Sequence, residues 1–234
     1  MLGKKWLVFL LVCALLCVPA RAFSDDGAIG GNYRDAVTAM AERGVLEGFE
    51  DGSFQPGGTL TREQGAKIIT YLCIGKAAAQ ALRCTSAPFD DVEADRWSAP
   101  CIAWCVARHI LHGYGDGTYG PTDKLTGDQY AKMLLCALGL ARPGNYADTG
   151  ADWYKAVRED ARAAKLYAGD AAMERDRPVT RQQAALPSWH AAQAGEAGVQ
   201  APAPSGGGSG GSAAPAPTPA PLSGEDMLPE MPVD

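Results

Sequence analysis

The hydrophobic pattern of this chain has a helical period, and it recurs. Cys101, Ile102, Cys105 and Val106 form an i, i+1, i+4, i+5 stripe. Ala131, Leu134, Leu135 and Leu138 form another, as do Ala66, Ile69, Leu72 and Cys73 earlier in the chain. Apolar positions spaced this way share one face of an α-helix and mark its buried side. Between the stripes lies a glycine-rich segment that is itself repeated: Gly48-Phe49-Glu50-Asp51-Gly52-Ser53-Phe54 returns 65 residues later as Gly113-Tyr114-Gly115-Asp116-Gly117-Thr118-Tyr119. The same offset pairs Pro56 with Pro121, Leu60-Thr61 with Leu125-Thr126 and Gln64 with Gln129. Upstream it pairs Val45-Leu46 with Ile110-Leu111 and Asp25-Asp26 with Asp90-Asp91. A weaker third copy is visible in Asp152-Trp153-Tyr154, Leu166-Tyr167-Ala168-Gly169 and Val179-Thr180-Arg181-Gln182-Gln183.

Each unit therefore reads as helix, glycine-rich loop, helix. Gly113 is placed where the first helix of the second unit would leave through a left-handed residue. Gly115, Gly117 and Gly120 then suit a tight loop closed by Tyr119 and Pro121. The second helix of each unit opens on a box, Thr61-x-x-Gln64, Thr126-x-x-Gln129 and Thr180-x-x-Gln183. There a threonine oxygen and a glutamine side chain reciprocally satisfy helix-terminal amides, each cap contributing about 1 kcal/mol. Pro187 falls inside the last of these helices and predicts a kink or an end near Ala185, since proline removes a backbone bond and crowds the preceding turn. One helix pair cannot enclose a core, so three pairs must pack together in a mainly α fold.

The two ends do not share this pattern. Lys4 and Lys5 precede an apolar run from Trp6 to Val18, and Ala20-Arg21-Ala22 supplies the small residues of a cleavage site, so 1–22 reads as a secretory signal peptide with no transmembrane segment left after its removal. Ala201 to Pro221 is almost wholly Ala, Pro, Gly and Ser, and 195–234 is expected to be a disordered linker with an acidic tail. Taking the repeats into account, 23–84, 85–142 and 143–194 are the three units, the last degenerate. Without the leader the chain keeps 18 Lys+Arg against 27 Asp+Glu, a formal charge of −9, which disfavours nucleic acid and anionic membranes as partners. Five cysteines remain, Cys73, Cys84, Cys101, Cys105 and Cys136, an odd number in an exported chain. A Cys105–Cys136 disulfide between the helices of the second unit is one candidate pairing.

Phe89-Asp90-Asp91-Val92, Trp97, Gly113 to Pro121 and Leu125 to Gln129 follow one another in an order that resembles the S-layer homology family. That resemblance, extending over nearly all of Phe23 to Ala194, implies three tandem units in a pseudo-threefold bundle. It also implies a secreted protein held non-covalently at the cell wall by a secondary cell-wall polysaccharide, often carrying acidic pyruvyl groups, bound in grooves between units. The second unit departs from the family pattern at Gly127, where the box arginine is missing.

Helix starts offer amides and partial positive charge, and Arg62 and Arg181 sit in the first turn beside Thr61 and Thr180, where a guanidinium can take a carboxylate through two parallel bonds. A surface salt bridge with Glu63 or Asp51 is the competing reading. Trp97 and Trp153 open the first helices of units two and three, either lining a groove and stacking on sugar or serving as core residues. Gly52 and Gly117 complete the candidate set at the loop tips. Asp51-Gly52-Ser53 lacks the alternating oxygens of a calcium loop, and Cys101/Cys105 and His109/His112 lack metal spacing. Neither a nucleophile elbow, a phosphate loop nor a dinucleotide fingerprint is present, so no enzyme, cofactor or metal is expected. The function that follows is non-catalytic wall anchoring. The alternative is a surface assembly protein that presents its C-terminal tail to a partner.

Overall fold

A computed structural model describes residues 23–141, 152–173 and 176–196. The segment expected to be a signal peptide, 1–22, and the expected tail from 197 onward lie outside the described residues. Among the described residues seven α-helices follow in order: α1 (Arg34–Glu42), α2 (Arg62–Ile74), α3 (Lys76–Gln80), α4 (Ala99–Val106), α5 (Gly127–Ala137), α6 (Trp153–Ala163) and α7 (Arg181–Glu196). Among the described residues no strand forms, and β-pairing is confined to isolated bridges such as Thr59–Thr180, Thr61–Lys124 and Thr126–Pro178.

Those bridges organise the molecule. Just before α2, α5 and α7, Leu60 N–H donates to Val179 O at 3.0 Å, Val179 N–H to Leu125 O at 2.9 Å, and Leu125 N–H to Leu60 O at 2.9 Å. Three equivalent residues thus bond head to tail in a closed triangle, and a pseudo-threefold axis passes through it. All three side chains are buried in one core shared by every unit. Each second helix then starts on its box: Thr61 and Thr126 complete full capping boxes with Gln64 and Gln129. Thr180 N–H donates to Gln183 Oε1 at 3.1 Å, and Gln183 N–H returns to Thr180 Oγ1 at 3.4 Å.

The main helix packing runs between units rather than within them. α4 of the second unit lies on α2 of the first, α6 of the third on α5 of the second, and α1 of the first on α7 of the third. The sequence predicts three helix pairs that pack together; the structure packs them as an interlocked ring in which each unit's first helix covers its predecessor's second helix. The reason is the loop, which carries the chain back to the axis and leaves each apolar stripe facing a neighbour.

Several local expectations are corrected. The left-handed residues that end the first helices are Gly44 (φ 67°), His109 (φ 55°) and Lys165 (φ 58°), not Gly113. In each case the next residue's amide reaches back into the last turn: Val45 N to Met40 O, Ile110 N to Cys105 O and Leu166 N to Ala161 O. Gly113 is required for space instead, because a Cβ there would sit 2.4 Å from Thr118 O and 2.6 Å from the Phe89 ring. The 65-residue offset also slips by one upstream. Asp25 accepts the Phe54 and Gln55 amides at 2.7 and 2.8 Å, and its counterpart is Asp91, which accepts those of Tyr119 and Gly120, both at 2.8 Å. Phe23 and Phe89 match the same way, packing on Phe54 and Tyr119. The second unit is one residue shorter between this aspartate and its first helix.

α7 does not end at Ala185 but runs through Pro187 to Glu196, taking in the first two residues assigned to the linker. Only the Gln183 carbonyl loses its helical partner at the proline, while burial of Ala184, Ala185, Leu186 and Ser188 holds the segment in place. Ser188 Oγ adds bonds at 2.6 Å to Ala184 O and to Tyr130 Oη on α5. The five described cysteines form no disulfide, so the candidate Cys105–Cys136 bridge is not made. Cys105 lies fully buried beside Thr70, with Thr70 Oγ1 3.4 Å from its sulfur.

Candidate functional site

The clefts between units are built around two arginines. Arg62, first residue of α2, projects into the loop of the second unit, where its Nε donates to Tyr119 O at 2.8 Å and its Nη2 to His112 O at 3.1 Å. The guanidinium lies between two rings, 4.4 Å from the centroid of Tyr119 and 4.7 Å from that of Tyr114. Arg181, first residue of α7, repeats the arrangement on the first unit's loop. Its Nε donates to Phe54 O at 2.7 Å and its Nη2 to Glu47 O, with Phe54 and Phe49 on its two faces at 4.7 and 4.8 Å. Burial lowers the Arg181 pKa from its ordinary value, with Asp25 acting the other way. In each socket the inner ring, Tyr119 or Phe54, is buried, and the outer ring, Tyr114 or Phe49, is exposed by 49% and 42%.

The helix-start amides are occupied as well. Arg62 N–H donates to Asp123 O and Glu63 N–H to Pro121 O; Arg181 N–H donates to Gly58 O and Gln182 N–H to Pro56 O. The open, amide-rich helix end expected from the sequence is thus closed by the neighbouring unit's backbone. The next box position also reaches across. Glu63 takes Arg96 at 2.8 and 3.1 Å together with Ser98 Oγ at 2.7 Å, Asp128 takes Arg158 at 2.9 and 2.6 Å, and Gln182 Oε1 accepts the Gly30 amide at 2.9 Å. Glu63 and Asp128 are buried acids, which is why each has a charged partner.

The candidate residues therefore divide among three clefts. Thr61 and Arg62 meet the Gly117 loop at the cleft between units one and two, and Trp97 follows Arg96, the partner of Glu63. Trp97 precedes α4 and is 56% exposed, so it is not a core residue. Thr180 and Arg181 meet the Gly52 loop between units three and one. Trp153 is the first residue of α6, partly buried against the core, with Lys132 Nζ 5.5 Å above its ring. Thr61 and Thr180 oxygens serve their own helix caps. Gly52 and Gly117 hold positive φ at 79° and 92°, and a Cβ on Gly117 would strike Asp90 Oδ2. The rings that flank the arginines, Phe49, Phe54, Tyr114 and Tyr119, were not among the sequence candidates, although aromatic pairing at both positions of the repeated loop carries the signal. Among the described residues no group of His, Cys, Asp and Glu is arranged to hold a metal ion, and no helix is long and apolar enough to cross a membrane.

A ring of helical units joined through box and loop is the architecture; two of its segments are recognised directly. Residues 22–66 and 88–131 match the family model of the S-layer homology domain. The chain is 29% identical over 200 residues to the Surface-layer 125 kDa protein of Lysinibacillus sphaericus, covering 79% of this chain and 16% of that relative. It is 31% identical over 109 residues to Cell surface glycoprotein 1 of Acetivibrio thermocellus, covering 47% of this chain and 4% of that one. An uncharacterized cell wall amidase of Bacillus anthracis matches at 25% identity over 135 residues, 56% of this chain and 24% of the relative. The chain thus spans only a small part of the length of these relatives. Its likeness to the S-layer homology domain is confined to those two segments.

Proposed function

We propose that this protein is a non-catalytic cell-surface anchor that binds acidic polysaccharide of the cell wall in the clefts between its units, with residues 143–194 serving as a third, diverged S-layer homology repeat. The carrying observation is the pair of arginine sockets. Each guanidinium is held rigid between two rings and bonded through Nε and Nη2, while Nη1 makes no hydrogen bond among the described residues. A fixed cation with one edge unspent suits a sugar carboxylate such as a pyruvyl group. The exposed outer rings, Tyr114 and Phe49, together with Trp97, offer apolar faces for sugar stacking beside it. Thr61 and Thr180, with Gly52 and Gly117, fix the walls of these clefts, and Trp153 flanks the remaining one. The relatives' names support a place at the cell wall or surface.

Retention of the secreted chain on purified walls, before and after chemical removal of the secondary polysaccharide, tests this. Binding lost with the polymer is expected; equal binding to both preparations rejects it. Release of soluble wall fragments by the purified protein would instead support an enzyme like the amidase relative. Wall retention should survive deletion of 201–234 if the helical domain is the anchor, and its loss would favour a tail-presenting assembly protein.

A further inference from the structure

The two arginine sockets share a frame but not a rim. Over residues 48–64 and 113–129 the loops run in step at an offset of 65, so each rim position in one has a counterpart in the other. In the second unit's loop Tyr114 Oη donates to Asp123 Oδ2 at 2.7 Å, which ties the outer ring over Arg62 to the turn that Asp123 N–H closes on Gly120 O. Gly120 has a φ of 68°, and a Cβ there would strike both Asp123 Oδ2 and the Tyr114 ring. Donor, acceptor and the gap between them thus occur together. In the first unit's loop none of the three is present. Phe49 has no hydroxyl, Gly58 has no side chain, and Gln55, at a φ of 54°, stands in the place of Gly120. A left-handed residue other than glycine is uncommon, so the first loop keeps the turn without the tie. Exposure follows the rims. Arg62 is 8% exposed and Arg181 is half-buried, although the outer rings lie at nearly the same distance, 4.7 and 4.8 Å. A Cβ on Gly58 would lie 3.5 Å from Arg181 Cδ, so the glycine leaves that arginine uncovered.

We infer that Tyr114 and Asp123 form a latch that holds the Arg62 cleft shut, and that the Arg181 cleft is the one an acidic sugar enters directly. This rests on the acid-binding reading of the clefts and adds an order between them. A site that is open for only a fraction of the time binds its ligand more weakly by that fraction. A hydroxyl donating to a carboxylate on a partly exposed loop shifts such an equilibrium by about a factor of ten, so the Arg62 cleft is the weaker by about tenfold. The latch acts through the ring it fixes: Tyr114 lies on the outer face of the Arg62 guanidinium, and the same bond that holds the ring in place also directs the Asp123 carboxylate toward the cleft mouth. Tyr114 and Asp123 are thus specificity-determining residues of one cleft, and Phe49 and Gly58 mark the other as open.

Side-chain NMR of the full chain reads both clefts in one titration, through the Nε–H resonances of Arg62 and Arg181. The probe is the pyruvate ketal of methyl glucopyranoside, with methyl glucopyranoside as the uncharged control at equal ionic strength. Saturation at Arg181 is expected at about one tenth of the concentration needed at Arg62. Tyr114→Phe keeps the ring and removes the hydroxyl, and Asp123→Ala removes the acceptor. Each should tighten binding at Arg62 by about tenfold, with the Arg181 curve as internal reference. Tyr114→Phe retains the Asp123 charge, so tightening in that variant does not come from removing a like charge. Without ligand, each variant should also speed hydrogen exchange at the Arg62 Nε–H by about tenfold relative to Arg181. Equal affinities at the two arginines in the unaltered chain overturn the latch, as does either variant that leaves affinity or exchange at Arg62 unchanged. Loss of binding at Arg62 in both variants also overturns it, since the bond would then support the ligand site rather than close it. Should the ketal shift neither arginine in any of these proteins, the anchoring reading fails, and exchange alone decides the latch: faster at Arg62 in both variants supports it, and unchanged rates overturn it.

Discussion

Replacing Arg62 with alanine separates two roles that the geometry assigns to one side chain. The side chain is 8% exposed and bonds two carbonyls of another unit at 2.8 and 3.1 Å between two rings. Truncation takes the guanidinium donors from Tyr119 O and His112 O, at about 1–3 kcal/mol each, and removes stacking on two rings, about 0.5–1 kcal/mol each. These contributions sum to about 3–8 kcal/mol, and relaxation of the cleft places the expected loss toward the low end, about 3–5 kcal/mol, a large part of the ~5–15 kcal/mol that holds a domain of this size folded. At ~2–4 °C per kcal/mol, the melting temperature should fall by about 10 °C. Arg62→Lys keeps the charge but not the two-point geometry and should recover less than half of that. Urea unfolding with an unchanged m-value reads the difference directly. A loss under about 1 kcal/mol accompanied by abolished wall retention would refute the bracing role and leave Arg62 a pure ligand contact.

Other consequences are independent of ligand. Gly113→Ala should destabilise by about 2 kcal/mol or more by urea melts, since the added Cβ meets the Thr118 carbonyl and the Phe89 ring, whereas Gly27→Ala, with open space around it, should be near neutral. The Phe54 N–H above all, and after it the Gln55 N–H, hold the Asp25 carboxyl below its usual value of 3.8 against opposing burial. Its folded pKa is depressed, so the stabilisation is present above that value and disappears as pH falls through the lower, folded one; Asp25→Asn should flatten the acid limb of stability below about pH 4. Burial pushes the Cys105 thiol up and Cys84 is half-buried beside Ser86, so iodoacetamide at pH 8 should label Cys84 in the native protein and Cys105 only on unfolding, as mass spectrometry of timed samples will show.

Much of this was legible in the chain because it depends on local rules. The capping boxes appear where Thr and Gln stand three apart, and the loop glycines Gly52 and Gly117 hold the left-handed angles that their spacing suggests. What was not legible depends on which unit a stripe faces. A helical period tells that Cys105 is buried, but not that α2 of the previous unit buries it. Arg62 and Arg181 stand out in the sequence at the helix starts, yet their bonding to loop carbonyls depends on the neighbouring loop's path, which no residue type announces. Gly113 was assigned the wrong need, because a steric demand from the Phe89 ring and a left-handed turn call for the same residue.

The contrast between the axial triangle and the sockets explains why the third segment is hard to see in sequence although it completes the ring. Leu60, Leu125 and Val179 are joined by main-chain bonds, which persist under almost any side-chain change that keeps the position apolar. The sockets depend on particular side chains: an arginine, two rings and the carbonyls they shield. A socket is therefore absent where Gly127 stands in place of the arginine, while the ring stays closed. Closure in turn requires the third segment, since Gly127 N–H has its partner in Arg177 O and Arg181 N–H in Gly58 O. The two segments that match the S-layer homology domain end inside α2 and α5 and leave α1 without the α7 surface that it packs on. A chain cut after the second unit would lose two sides of the triangle together with that packing, so the units should unfold as one cooperative block rather than singly.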